Sequence, residues 1–137
     1  MVPGKHILYH GGPPGITRFR ESTDGTYGPG IYLTPHPEKA RTYAAQSGPN
    51  GVVYTLEVDL RNPHTIHNQK MMALFDLWEY TKVKEAEMAN TVLREKGHDS
   101  LWVHTGRKNP LFGDEVVVFD PDSITILSSA TYLGSEQ

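Results

Sequence analysis

Hydrophobic and polar positions alternate most cleanly over residues 52–60, where Val52, Tyr54, Leu56, Val58 and Leu60 share one face and Thr55, Glu57 and Asp59 the other. A period of two over that length predicts a half-buried β-strand. The same period runs through residues 5–10, with His6, Leu8 and His10 alternating with Ile7 and Tyr9, until Gly11-Gly12-Pro13-Pro14-Gly15 stops it. Residues 31–34 predict a further short strand, and 101–104, 115–119 and 123–127 predict three more. Pro37 followed by Glu38 is a helix-start signal. That helix runs through Ala40, Tyr43 and Ala44 to Gln46, and Gly48-Pro49 closes it. Arg61-Asn62-Pro63 predicts a turn. From about 69 to 96 the spacing is helical, with Met71, Leu74, Phe75 and Trp78 on one stripe and Ala86, Ala89 and Leu93 on another. The stripes fall out of phase near Thr81-Lys82, which predicts two helices or a kink, and Arg94, Lys96 and Gly97 make its C-terminal end. Residues 15–30 read as a loop, and a loop that long in a small domain is more often functional than idle. Strands, then helices, then strands predict an α+β fold rather than a parallel βαβ one.

A length of 137 residues predicts one domain over residues 1–137, with one core. The 13 Gly and 10 Pro make it loop-rich, yet 37% hydrophobic residues are enough for a globular fold. Thirteen Lys and Arg against sixteen Asp and Glu give a net charge of -3, so a domain-wide basic footprint for nucleic acid is absent. The lack of cysteine removes disulfide frameworks, thiol nucleophiles and Cys-ligated zinc. Residues 1–12 do not read as a secretory leader, and no apolar run approaches the roughly 18 residues that span a bilayer. The expectation is a cytoplasmic monomer with no membrane contact.

Three segments place polar or aromatic groups at strand ends: Tyr9-His10-Gly11, the run from Gly28 to Thr34 with Tyr43 beyond it, and Gly113-Asp114-Glu115 leading into Val116 and Phe119. In this order and spacing, with Tyr43 eleven residues after Tyr32, they resemble the catalytic domain of the ADP-ribosyltransferases. The nearest branch is the His-Tyr-Glu one shared by diphtheria toxin and the poly(ADP-ribose) polymerases, in its short bacterial and phage-type form. Many relatives carry Ser three residues before the second tyrosine, where this chain has Ala40. The resemblance implies a split β-sandwich of two small, mostly antiparallel sheets with flanking helices. It also implies NAD as co-substrate, bound in the cleft between the sheets, with no metal.

Cleavage of the nicotinamide–ribose bond passes through an oxocarbenium-like state, so the enzyme has chiefly to orient a good leaving group and stabilise positive charge. By resemblance, His10 meets the adenine-side ribose and the Gly11 backbone meets the carboxamide. Tyr32 and Tyr43 sandwich the pyridinium, and Glu115 binds the 2′-hydroxyl of the nicotinamide ribose. Thr34 is carried as a further cofactor-binding residue, and Glu115, His10 and Tyr32 as the catalytic set. Arg18 and Arg20, in the long loop, either meet the pyrophosphate or stay solvated. Taken singly, His10, Tyr32, Tyr43 and Glu115 also have plain structural readings, as a backbone-bonded histidine, core aromatics and a solvated strand end. His64-x-x-His67 has a conceivable metal spacing, but surface histidines explain it better. Phe112, three residues before Glu115, either faces the target or packs under its own loop.

The implied activity is mono-ADP-ribosyl transfer to a macromolecular acceptor, protein or nucleic acid, by a toxin, effector or phage-type modifier. The competing expectations are inactivation of a small molecule such as a rifamycin and a non-catalytic NAD or ADP-ribose binding module. RNA 2′-phosphotransfer would need a basic cluster that is not seen. Arginine-modifying relatives place a second glutamate where this chain has Gly113, so the acceptor stays open.

Overall fold

The structure, a computed structural model, describes residues 3–22, 27, 29–67, 90–106 and 108–131. In chain order its strands are β1 (Gly4–Gly12), β2 (Ile31–Leu33), β3 (Val52–Leu60), β4 (Pro63–His67), β5 (Ser100–His104), β6 (Glu115–Val118) and β7 (Ile124–Thr131), with helix α1 (Pro37–Gln46) between β2 and β3. Residues 90–95 are also helical and end at Gly97, whose φ of 87° closes the turn. The predicted stripe at Met71, Leu74, Phe75 and Trp78, the break at Thr81-Lys82, and Ala86 and Ala89 lie outside the described residues.

Two sheets form. One has the order β1-β3-β7 and is antiparallel throughout; the other has the order β2-β6-β5-β4, with only β4 and β5 parallel. This is an α+β split β-sandwich. The alternation read in residues 52–60 becomes the central strand of the first sheet, with Val52, Tyr54, Leu56, Val58 and Leu60 buried. They meet Leu8 from β1 and Ile31, Leu33, Val116, Val118 and Trp102 from the second sheet in the main core. The second sheet is covered on its other face as well, where Leu101, Val103, Val117 and Phe119 pack with Tyr27, Tyr32, Ile66 and Leu93. That is why β6 reads as an unbroken Val116-Val117-Val118 rather than an alternation.

The turn predicted at 61–63 is shorter than expected, because Pro63 opens β4. Asp99 fixes the turn by accepting the Arg61 and Asn62 backbone N–H groups at 2.7 and 3.0 Å. A proline at the first residue of an edge strand costs no ladder bond, and β4 gains its partner from β5, far along the chain. At the strand predicted from 123, residues Pro121–Ser123 form a 3-10 turn and the strand follows it to Thr131.

Two contacts place the site. Tyr9 N–H donates to the Thr34 carbonyl at 2.7 Å and Thr34 N–H to the Tyr9 carbonyl at 3.0 Å, which ties β1 of one sheet to the end of β2 in the other. Helix α1 then lies directly on the first sheet. A Cβ on Gly11 would stand 1.8 Å from the Ala40 carbonyl oxygen, and one on Gly51 1.8 Å from that of Ala44. Two glycines under two buried alanines let the helix backbone approach this closely. No helix among the described residues is long and apolar enough to cross a membrane.

Candidate active site

Glu115 is the first residue of β6. Register pairs Tyr32 with Val117, so Glu115, two residues back on β6, shares the face of the sheet that carries Tyr32. The backbone before it is held from several sides. The Asp114 carboxylate accepts Trp102 Nε1–H at 2.9 Å and Thr105 N–H at 3.2 Å and pairs with His104 Nδ1 at 2.8 Å. Thr34 Oγ1 donates to the Asp114 carbonyl at 2.8 Å and accepts His36 N–H at 3.1 Å. Thr34 is therefore buried under the Glu115 backbone, and its hydroxyl is already engaged there. Lys39 Nζ reaches in from α1, donating to the Gly113 carbonyl at 2.9 Å and standing 4.0 Å from Glu115 Oε2. Burial raises the Glu115 carboxyl above the usual carboxylate range, and the Lys39 charge pulls it back down.

The aromatic side of the site contains a residue that the sequence reading passed over. Tyr27 N–H donates to the Tyr32 hydroxyl at 2.8 Å, and the two rings stack at 6.4 Å with 21° between their planes. Burial, with Glu115 and Tyr43 nearby, pushes the Tyr27 phenol up to about 12. Tyr43 is 40% exposed, and burial together with the Glu115 charge raises its phenol too. Tyr27, Tyr43 and Glu115 thus share one electrostatic neighbourhood. Ala40, four positions from Ala44 on α1, faces the sheet at Gly11 instead.

His10 holds the other end of the site. Its Nδ1 lies 3.1 Å from the Tyr32 carbonyl oxygen, and its ring meets Phe19 edge-on at 4.9 Å. Burial lowers its pKa, which leaves a neutral imidazole; donation from Nδ1 to that carbonyl then leaves Nε2 as an acceptor. Arg18 is not brought to Glu115. Its guanidinium donates to Asp122 Oδ1 at 3.1 Å, in the turn that follows the opposite end of β6. Arg20 is exposed.

Next to Glu115 the chain forms a 3-10 turn, Pro110–Phe112, capped by the Asn109 side chain, which accepts Leu111 N–H at 3.0 Å. Phe112 is 58% exposed and Leu111 47%, so the ring does not pack beneath its own loop. Both line an open cavity of about 410 Å³ with Lys39, Thr42, Tyr43 and Thr105. A cavity of the same volume lies at the opposite end of β3, walled by charges that pair among themselves, such as Lys5 with Glu57 and Arg61 with Asp59; it contains none of the candidate residues. His64 lies against His98 at 5.0 Å, and among the described residues no three His, Asp or Glu side chains gather as a metal site would require.

A family model described as ADP-ribosyltransferase in polyvalent proteins matches residues 4–130. No curated protein matches the sequence. The matched span takes in every strand end named above.

Proposed function

Because the chain belongs to the ADP-ribosyltransferase family of polyvalent proteins, we propose that it is a mono-ADP-ribosyltransferase of the His-Tyr-Glu type that cleaves NAD and passes ADP-ribose to a macromolecular acceptor. The observation that carries this is the half-buried Glu115 carboxylate on the Tyr32 face of the sheet, with Tyr27, Tyr43 and Lys39 around it. A preorganised anion in a partly dry site is what a developing oxocarbenium needs, and such groups typically supply about 3–4 kcal/mol.

In this reading the C1′–N bond of NAD breaks with its electron pair leaving on nicotinamide. The tyrosine rings hold the pyridinium, and Glu115 stabilises the positive charge left on the ribose. The acceptor then attacks C1′ and releases its proton to solvent or to Glu115. His10, neutral and fixed by the Tyr32 carbonyl, offers Nε2 to a ribose hydroxyl, and Gly11 offers only backbone. Thr34 contributes by holding the Asp114 carbonyl, and so the start of β6, instead of meeting the ligand with its hydroxyl. A role in a cytoplasm as toxin, effector or phage-type modifier belongs to the same proposal and rests on the resemblance.

The cavity beside Phe112 favours a second reading, because about 410 Å³ falls in the range of small-molecule sites. There the acceptor is a small molecule that the chain inactivates. Incubation with NAD labelled in its adenine moiety, followed by mass spectrometry of target-cell lysate, separates the two: labelled macromolecules support the first and labelled small molecules the second. Absence of nicotinamide release in that incubation would reduce the chain to a binding module.

A further inference from the structure

Lys39 is a cation in an unusual place. It sits in the first turn of α1, is 9% exposed, and directs its ammonium at the base of β6. Lysine is almost never buried unless paired. Its side chain cannot drift far from Glu115, because α1 is seated on β1 and β3 through Gly11 and Gly51. The groups facing Glu115 from other elements come from two directions. Lys39 and Tyr43 come from α1, and Tyr27 from the segment before β2. Asp114 is adjacent in sequence, but its carboxylate is taken up by His104, Trp102 and Thr105, while the His36 ring lies against Gly113. The phenols bring no positive charge, and burial works against the negative one. Among the described residues, Lys39 is the cation within ion-pair distance of Glu115.

We propose that Lys39 is a positioning residue whose buried ammonium, held between the Gly113 carbonyl and the Glu115 carboxylate, keeps that carboxylate charged and fixed on the Tyr32 face of the sheet. This rests on the reading of Glu115 as the catalytic carboxylate. The two contacts do separable things: the hydrogen bond to Gly113 fixes the backbone before β6, and the charge offsets the desolvation of Glu115. Lys39→Gln removes the charge while keeping a donor for Gly113, and Lys39→Arg keeps the charge.

The test is a carbon-detected NMR titration of the Glu115 carboxyl in the full chain, run beside nicotinamide release across pH. In Lys39→Gln the Glu115 titration moves to higher pH. Turnover requires the anion, so it falls roughly tenfold at pH 6 but no more than about twofold at pH 8.5. Lys39→Arg restores both. Should Lys39→Gln fail to fold by circular dichroism, Lys39→Met, which keeps the packing of the stem but no donor for Gly113, takes its place in the titration alone. A Glu115 titration unmoved by loss of the charge, or an equal loss of turnover at both pH values, overturns the proposal. The titration itself needs no turnover. A titration that moves while Glu115→Gln retains full activity sustains the role of Lys39 and refutes the catalytic reading of Glu115.

Discussion

Glu115 meets opposing demands, since burial favours its neutral form and Lys39 its anion. Replacement of the carboxylate by an amide keeps its size and removes its charge. Glu115→Gln is therefore expected to bind NAD almost normally in calorimetric titration while losing on the order of 10²–10³ in nicotinamide release; equal turnover in the two proteins would dismiss the catalytic assignment. The proposed function gives the tyrosines a part in binding instead. Tyr32→Ala and Tyr43→Ala should each weaken NAD binding by about 0.5–1.5 kcal/mol, the value of an aromatic stacking contact. Tyr9→Ala serves as the control, because the Tyr9 contact to Thr34 is made by its backbone. Unchanged affinity in both alanine variants, with the fold intact, would leave those rings as packing alone. Tyr27 was not legible at this scale: it stands in an aperiodic loop, and only the folded chain stacks it on Tyr32. Nothing in the sequence marks Lys39 beyond its place in a first helical turn.

The helix that carries Lys39 and Tyr43 depends on residues outside itself. Its ends, Pro37 and Gln46, agree with the local signals, but its seat on the sheet is made by Gly11 and Gly51. A methyl group at either position meets backbone, which cannot swing away as a side chain can. Gly51→Ala is expected to destabilise the protein by about 1–3 kcal/mol and to lower nicotinamide release by shifting α1. Gly11→Ala should do the same. Gly51 has no assigned contact with NAD, so matching losses in thermal unfolding and activity would mark helix seating as the cause, whereas a stable, active Gly51→Ala would refute it. The strand β4 shows the same dependence more strongly. Its residues have no alternation to read, because its partner is the parallel β5, contributed from far along the chain.

Whole-molecule properties follow from how these groups sum. His10 and His64 both have lowered pKa values in the fold, chiefly through burial, and His98 and Lys96 add to the effect at His64. The unfolded chain takes up these protons near pH 6.5, above the folded values, so their contribution to stability is present above that pH and is lost as pH falls below it. Glu115 acts with the opposite sign: its raised carboxyl favours the fold as pH falls through that raised value. Melting temperatures of wild type and His10→Gln from pH 7.5 to 5.5 isolate the histidine term. The wild-type curve should drop more steeply, and parallel curves would count against a buried neutral His10. Phe112, Leu111 and Tyr43 together present an exposed surface beside Glu115, and the proposed function assigns acceptor choice to it. Phe112→Ala should reduce ADP-ribose transfer to the acceptor by more than it reduces hydrolysis of NAD, measured as a ratio of the two products. Parallel loss would make Phe112 a support for Glu115 and not a contact for the target.

The residues themselves determined what neighbours along the chain can settle. The period-two run at 52–60 became β3, Pro37 and Gly48 bounded α1, and the spacing of His10, Tyr32, Tyr43 and Glu115 was enough for the family. Backbone periodicity and turn chemistry act over a few residues, so they survive in the sequence as pattern. Tertiary structure alone decided that Arg18 turns to Asp122, that Thr34 supports Asp114, that Phe112 stays at the surface, and that Lys39 ends beside Glu115. Each of these contacts or exposures depends on segments brought together from distant parts of the chain by burial of apolar faces. Burial rewards the sum of surface removed from water and leaves no local mark on which polar groups are thereby made to meet.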